Sequence, residues 1–317
     1  MATSSVPAAA ADQGLFEQER GPGRERGLWS DAWHRMIRNR LAMLGLFVLL
    51  TIAVVAFIGP HVPVIGRYAP NDQDYTASAK QAAPSWDHWF GTDQLGRDMW
   101  ARTLEGLRIS LQIGIGTQIL VLIIGLAVGA GAALGGKATD NIMMRLTDVT
   151  YAFPDLLFII LIRSVLTGRD IPVVTNQKMV IILAIAMVNW TTVARLVRGQ
   201  MLSLAERDFV LAARSLGAPR WRIITQHMLP NTLGPVIVAI TFGIPVAIFA
   251  EAALSFIGFG VPPPAASLGT LVAIGYTTIQ RNVWNVAPPA AAVAILMLSF
   301  TFLGNGLRDA LDPRTRG

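Results

Sequence analysis

The stretch "AARSLGAPRWRIITQHMLPN" (Ala212–Asn231) decides how this chain is read. It carries Arg214, Arg220 and Arg222, a Gly-Ala-Pro break at 217–219 and a closing Leu229-Pro230, yet it lies between two long apolar runs. It is too polar to cross a bilayer and its turn signals are too regular for a tether. Gly217 is a natural left-handed helix stop, Pro219 suits the first turn of a second helix, and Pro230 ends that helix. Upstream, Ser203 and Glu206 stand at the spacing of a capping box, so a short helix is predicted from there to Leu216. The expected unit is helix, tight turn, helix on one side of a membrane. Two roles fit it: a rigid hairpin that passes force from a partner to the spans above, or an amphipathic loop resting on headgroups.

Working outward, the composition supports the membrane reading. Of 317 residues, 53% are hydrophobic and 15% charged, and the mean hydropathy is +0.49. Apolar runs near or above the ~18 residues of a bilayer-spanning helix recur. They predict an all-α membrane protein with about six transmembrane helices, at 41–58, 107–134, 143–166, 179–196, 233–259 and 286–307. In the third, the purely apolar run 156–162 is too short to cross, so the helix must include polar neighbours. Residues 1–27, rich in Ala, Gly, Glu and Arg, read as a disordered cytoplasmic tail. They are no cleavable signal peptide, because the first apolar run starts only near Leu41. Residues 28–106 hold the first span and a long extracellular loop, and 107–317 the core, with the polar loop at 199–232. With the N-terminus inside, 17 of the 26 Lys and Arg fall on inner segments, which puts both termini in the cytoplasm. That bias also accounts for the net charge of +6 without nucleic acid.

Chemistry-bearing patterns are sparse. There is no cysteine, and His34, His61, His88 and His227 form no pair at metal-ligand spacing, so no metal is expected. "GAALGGKA" (131–138) nearly spells a phosphate-binding loop, but Ala138 stands where the magnesium-binding hydroxyl belongs and the run ends a membrane span. No catalytic constellation appears, so the chain is read as no enzyme. Gly125-x3-Gly129 and Gly131-x3-Gly135 offer close helix packing. Glu251 falls in the outer half of the fifth span, where a lipid-facing carboxylate is costly. It either receives a cationic group in a pathway or bonds to a neighbouring helix. Asp148 and Asp155, seven apart and so nearly on one helical face, line the pathway or mark the inner interface. Asn189 with Thr191 and Thr192 makes a polar patch suited to interhelical bonds. In "GTDQLGRDMWAR" (91–102), Gly91 and Gly96 are turn residues, Thr92 or Asp93 is a candidate helix cap, and Asp98 and Arg102 stand at pairing distance along a helix. Trp86, Trp89 and Trp100 suit a bilayer interface. "VPPPAASLG" (261–269) predicts a stiff turn into a short outer helix at 268–279.

The spacing Ala212-Ala213-x3-Gly217-x11-Leu229-Pro230 resembles the EAA loop of ABC importer permease subunits. Leu211 stands where that family often has Glu, which puts one charged contact in doubt. The segments at 91–102, at 254–269 ("LSFIGFGVPPPAASLG") and at 304–316 ("GNGLRDALDPRTR") are similar to the dipeptide/oligopeptide/nickel branch, second-permease type. The resemblance implies a type I importer permease fold. It implies that Ala212, Ala213, Arg214, Ser215, Leu216, Gly217, Ala218, Leu229 and Pro230 form the coupling element that docks on an ATP-hydrolysing subunit. Gly91, Thr92, Asp93, Gly96, Arg97 and Asp98 would brace the outer face, and Glu251, Asn189 and Asp155 are candidates for the substrate pathway. The implied partners are a sister permease, two ATPases that carry ATP and Mg, an extracellular solute-binding protein and the lipid of a prokaryotic plasma membrane. Peptide is the implied substrate, with nickel or another small solute as the alternative. An intramembrane enzyme or autonomous channel is the reading from a different class.

Overall fold

A computed structural model describes residues 28–76, 78–167 and 176–311. The predicted tail 1–27, Arg169 and the end of the chain from 312 lie outside the described residues. The described elements are helical. Leu28–Arg38 (α1) leads into Arg40–Phe57 (α2), which Asn39 caps by accepting from the Ala42 backbone N–H. Met99–Leu134 (α3) starts eight residues earlier than the sequence predicts, because Asp98 accepts from the Ala101 N–H and so fixes the start there. At ~1.5 Å per residue this helix is about 54 Å long, well beyond the ~30 Å hydrocarbon core.

The third predicted span is a broken one. Gly136–Ala152 (α4) and Asp155–Leu166 (α5) meet at 97°. Pro154 has no backbone N–H and pushes Phe153 out of the helical region, to φ −81° and ψ 140°. Asp148 and Asp155 therefore share no helical face, contrary to the seven-residue spacing argument. Gln177–Ala205 (α6) runs nine residues past the predicted end of the fourth span. Ser203 sits inside this helix and Glu206 is its C-cap, so the predicted capping box does not form. Burial of Val197 and Met201 carries the helix through that point.

Asp208–Ser215 (α7) and Arg220–Ile223 (α8) are the predicted hairpin. Pro230 does not end the second helix. A π-helical turn at Ile224–Met228, in which the Leu229 N–H bonds to the Ile224 carbonyl, widens the helix just before the proline. Leu229–Phe256 (α9) then continues the same rod, giving a helical span from Arg220 to Phe256. Leu268–Tyr276 (α10) is the predicted short outer helix, and Ala287–Leu311 (α11) the last span. Among the described residues, five helical stretches are long and apolar enough to cross a membrane, and the bent pair makes a sixth.

Three apolar layers hold the spanning helices, and a fourth cluster, Ala32, Met36, Ala42 and Ala310, fastens α1 to α2 and α11. The outermost joins Leu49, Leu104, Leu268, Leu296 and Phe300 from α2, α3, α10 and α11. A middle layer packs Ile113, Ile159, Ile185 and Leu254 from α3, α5, α6 and α9. The inner layer brings Val210 of α7 and Ile223 of α8 against Val121, Val197, Met201 and Val236. Backbone approach between α3 and α6 needs Gly125 and Gly129: a Cβ there would lie 2.8 Å from Val193 Cβ and 2.7 Å from Val197 Cβ. The first small-residue pair thus serves packing within the chain. Gly131 and Gly135 instead border Met143 and Thr139 at the start of α4.

Candidate functional site: the hairpin and the polar cluster

The first candidate site is the hairpin. Gly217 has φ +78°, its N–H bonds to the Arg214 carbonyl and the Ala218 N–H to the Ala213 carbonyl. That pair of bonds is a Schellman motif, which closes α7 and turns the chain into α8. Pro219 is the N-cap of α8 rather than a residue of its first turn. Ser215 Oγ donates back to the Leu211 carbonyl at 3.0 Å. The hairpin has two faces. Val210, fully buried, and Ile223 seat it in the inner apolar layer. On the other face Leu216 is 88% exposed and Trp221 74%, and the Arg214, Arg220 and Arg222 side chains are exposed beside them. Of the remaining hairpin candidates, Ala212 and Pro230 are exposed and Ala213, Ala218 and Leu229 half-buried.

At the opposite end of the helices, the segment 91–102 is a folded knot. Gly91 and Gly96 have φ +74° and +73°, as turn residues. Thr92, with no exposure, accepts from the Ala82 N–H at 2.8 Å and donates to the Ala79 carbonyl. Asp93 pairs with Arg97 at 2.7 Å and accepts the Leu95 and Arg97 N–H groups. The helix cap is Asp98 and not Thr92 or Asp93. The predicted Asp98–Arg102 side-chain pair is absent: Asp98 takes His88 Nδ1 at 2.8 Å, while Arg102 Nε lies 3.7 Å from Asp93. Arg102 Nη1 reaches the Pro70 carbonyl at 3.2 Å and Asn71 Oδ1 at 3.3 Å. One side of the knot is aromatic, where Trp89 and Phe90 pack on Trp100 at 5.1 and 5.0 Å. Trp100 Nε1 donates to the Ile65 carbonyl, so it is anchored in the chain, whereas Trp86 is 90% exposed.

The pathway candidates are far from alike. Glu251 is fully buried, and its Oε1 accepts from Ser255 Oγ at 2.6 Å and Ser267 Oγ at 2.5 Å. Ser267 also caps α10 by accepting the Thr270 N–H, and Ser110 on α3 accepts the Leu268 N–H. Glu251 thereby sits at a polar junction of α3, α9 and α10. Asn189 is half-buried in α6 and Asp155 is exposed at the start of α5. The three do not form one cluster. Two residues absent from the predicted site stand out: Arg163, whose Nη2 donates to the Gly260 carbonyl at 2.7 Å, and the buried Arg102. An arginine near the outer end of an apolar helix is the sequence signal that marks them.

Comparison with known proteins agrees with this architecture. Residues 121–317 match the family described as "Binding-protein-dependent transport system inner membrane component". Residues 27–84 match "N-terminal TM domain of oligopeptide transport permease C". The oligopeptide transport system permease protein OppC of Bacillus subtilis is 40% identical over 97% of this chain and 96% of its own length. The dipeptide transport system permease protein DppC of the same organism is 42% identical over 90% of this chain and 86% of its own. Among solved structures, an inward-facing MetNI methionine ABC transporter shares the fold, with a TM-score of 0.53 and 20% identity over 68% of this chain and 98% of its own. The match over residues 121–317 and relatives at 40% and 42% identity over 97% and 90% of the chain show that it belongs to the family of binding-protein-dependent transport system inner membrane components.

Proposed function

We propose that this chain is one of two permease subunits in an ATP-driven importer of di- and oligopeptides, set in a prokaryotic plasma membrane with both termini in the cytoplasm. The carrying observation is the pair Leu216 and Trp221, 88% and 74% exposed on a hairpin whose other face is locked into the core. Large apolar side chains held outward beside three arginines fit a groove in a partner subunit. That partner is a cytoplasmic ATPase, which binds the ATP and Mg; this chain holds neither. A sister permease completes the pathway and an extracellular binding protein delivers the cargo. The peptide assignment draws on the names of the relatives and on the lack of a His-rich or Cys-rich track in this sequence.

In this reading ATP binding brings the two ATPases together and moves the hairpins with them. Val210 and Ile223 pass that movement to α3, α6 and α9, and the spans switch access from outside to inside. Asn189 and Asp155 are proposed to face the pathway, and Glu251 to position its outer wall through Ser255 and Ser267.

The chain has no cysteine, so Leu216→Cys supplies a single thiol. In the assembled complex it is expected to cross-link to the ATPase subunit, and to resist a membrane-impermeant thiol reagent added to whole cells. Labelling from outside would place the hairpin on the wrong side of the membrane and end the importer reading.

A further inference from the structure

The first turn of α3, the α5 helix, α10 and the connection between α9 and α10 border an open cavity of about 390 Å³. It lies at the end of the helices opposite the hairpin. Arg97, Arg102 and Arg163 line it, and no carboxylate is among its lining residues within the described part of the chain. All three arginines are more than nine-tenths buried, at 8%, 2% and 9% exposure. Asp93 answers Arg97 at 2.7 Å and stands 3.7 Å from Arg102, and Glu105 attracts Arg102 along α3. Arg163 is in no ion pair among the described residues. Its Nη2 is used on the Gly260 carbonyl, and its ring-facing contact is Phe259, 5.8 Å from the guanidinium carbon. Among the described residues, the buried Arg163 Nη1 and Arg102 Nε have no hydrogen-bond partner.

A buried guanidinium without a counter-charge is costly, and its planar fork matches a carboxylate. We propose that this cavity is a carboxylate-binding site at the outer mouth of the pathway, and that it takes the C-terminal carboxylate of the peptide cargo. The proposal rests on the peptide-importer reading. The lining is mixed: Val261, Ala273 and Ile274 offer an apolar wall beside the arginines, which suits a terminal residue and its side chain better than an inorganic anion. The volume is in the range of a site for a small organic group.

The test uses the complete complex, with its sister permease, ATPases and binding protein, in proteoliposomes. One peptide is supplied with a free C-terminus and as its C-terminal amide, each at a concentration that saturates the binding protein. The wild-type complex is expected to take up the free acid about tenfold faster, the scale of one charge-assisted pair. Arg163→Gln is expected to bring the ratio to near one by slowing the free acid only, and Arg163→Lys to keep part of the preference. Equal wild-type uptake of the two forms would overturn the proposal even if Arg163→Gln failed to assemble. So would an Arg163→Gln complex that slows both forms equally and binds the empty binding protein more weakly, which would assign the arginines to an acidic side chain of that protein. Uptake of neither form would instead remove the peptide reading on which the site rests.

Discussion

Arg198 holds Asp140 with two parallel bonds, Nε to Oδ1 at 2.5 Å and Nη2 to Oδ2 at 2.6 Å, across 58 residues of chain. Two turns further along α4, Asp148 takes Arg195 Nη2 at 2.9 Å, and that guanidinium lies 4.7 Å from the Tyr151 ring. Only Thr147 of α4 is buried within the chain. This helix is therefore fastened to α6 mainly by charge, close to where the hairpin leaves.

Arg198→Ala is expected to lower the stability of the purified complex by about 1 kcal/mol, the upper end for pairs that remain partly exposed. The two side chains are 33% and 24% exposed, and added salt should shrink the effect. Arg198→Lys should recover less than half, because a point charge does not reproduce a bidentate fork. A double-mutant cycle with Asp140→Ala, read from thermal unfolding, measures the coupling; a value near zero would mean that α4 is held by something else.

The φ of +78° at Gly217 disfavours β-branched residues on backbone grounds alone, since a Cβ there would meet nothing within 4 Å. Gly217→Val should therefore cost about 1–2 kcal/mol of local hairpin order and weaken cargo stimulation of ATPase activity severalfold. Gly217→Asn, which tolerates the left-handed region, should stay near wild type. If Val and Asn behave alike, the turn geometry does not matter for coupling.

Gly129 and Gly199 make a matched pair. At Gly129 a Cβ would overlap the Ala194 carbonyl oxygen and come within 2.7 Å of Val197 Cβ, whereas at Gly199 it would meet nothing. Gly129→Ala is expected to destabilise by about 1–3 kcal/mol as α3 and α6 are forced apart. Gly199→Ala should be neutral or stabilise by up to ~1 kcal/mol through helix propensity. Thermal melting of the two variants in one detergent gives the comparison directly.

Ser267 serves two partners, the Thr270 N–H and Glu251. Ser267→Ala should cost about 2 kcal/mol, combining a lost cap with a buried carboxylate oxygen short of a donor. Glu251→Gln should assemble and show altered uptake only through α10. If uptake by Glu251→Gln is unchanged at every peptide concentration, Glu251 has no part in the pathway at all.

The hairpin was legible because its signals are local. Gly217 sets one φ, Pro219 opens the second helix, and neither needs to know what packs nearby. The same local logic misled at Ser203. There a capping box offers about 1 kcal/mol, and burial of Val197 and Met201 against the inner layer outweighs it. At Pro230 the sequence showed a helix breaker, and the structure absorbs it in a π-helical turn. Spacing also paired Asp98 with Arg102, while the folded outer loop gives each a different partner, His88 and Asp93.

What the amino-acid order alone determined is the set of apolar spans and the polar hairpin between the fourth and fifth, since hydropathy and turn residues act over a few neighbours. The tertiary structure alone decided which polar groups meet inside the membrane protein: Glu251 with Ser267, 16 residues away, and Arg163 with the Gly260 carbonyl, 97 residues away. Those meetings depend on how each helix is rotated and on the 97° break between α4 and α5. Rotation and bend are set by side-chain packing between helices, and no periodicity within one helix records its partner's face.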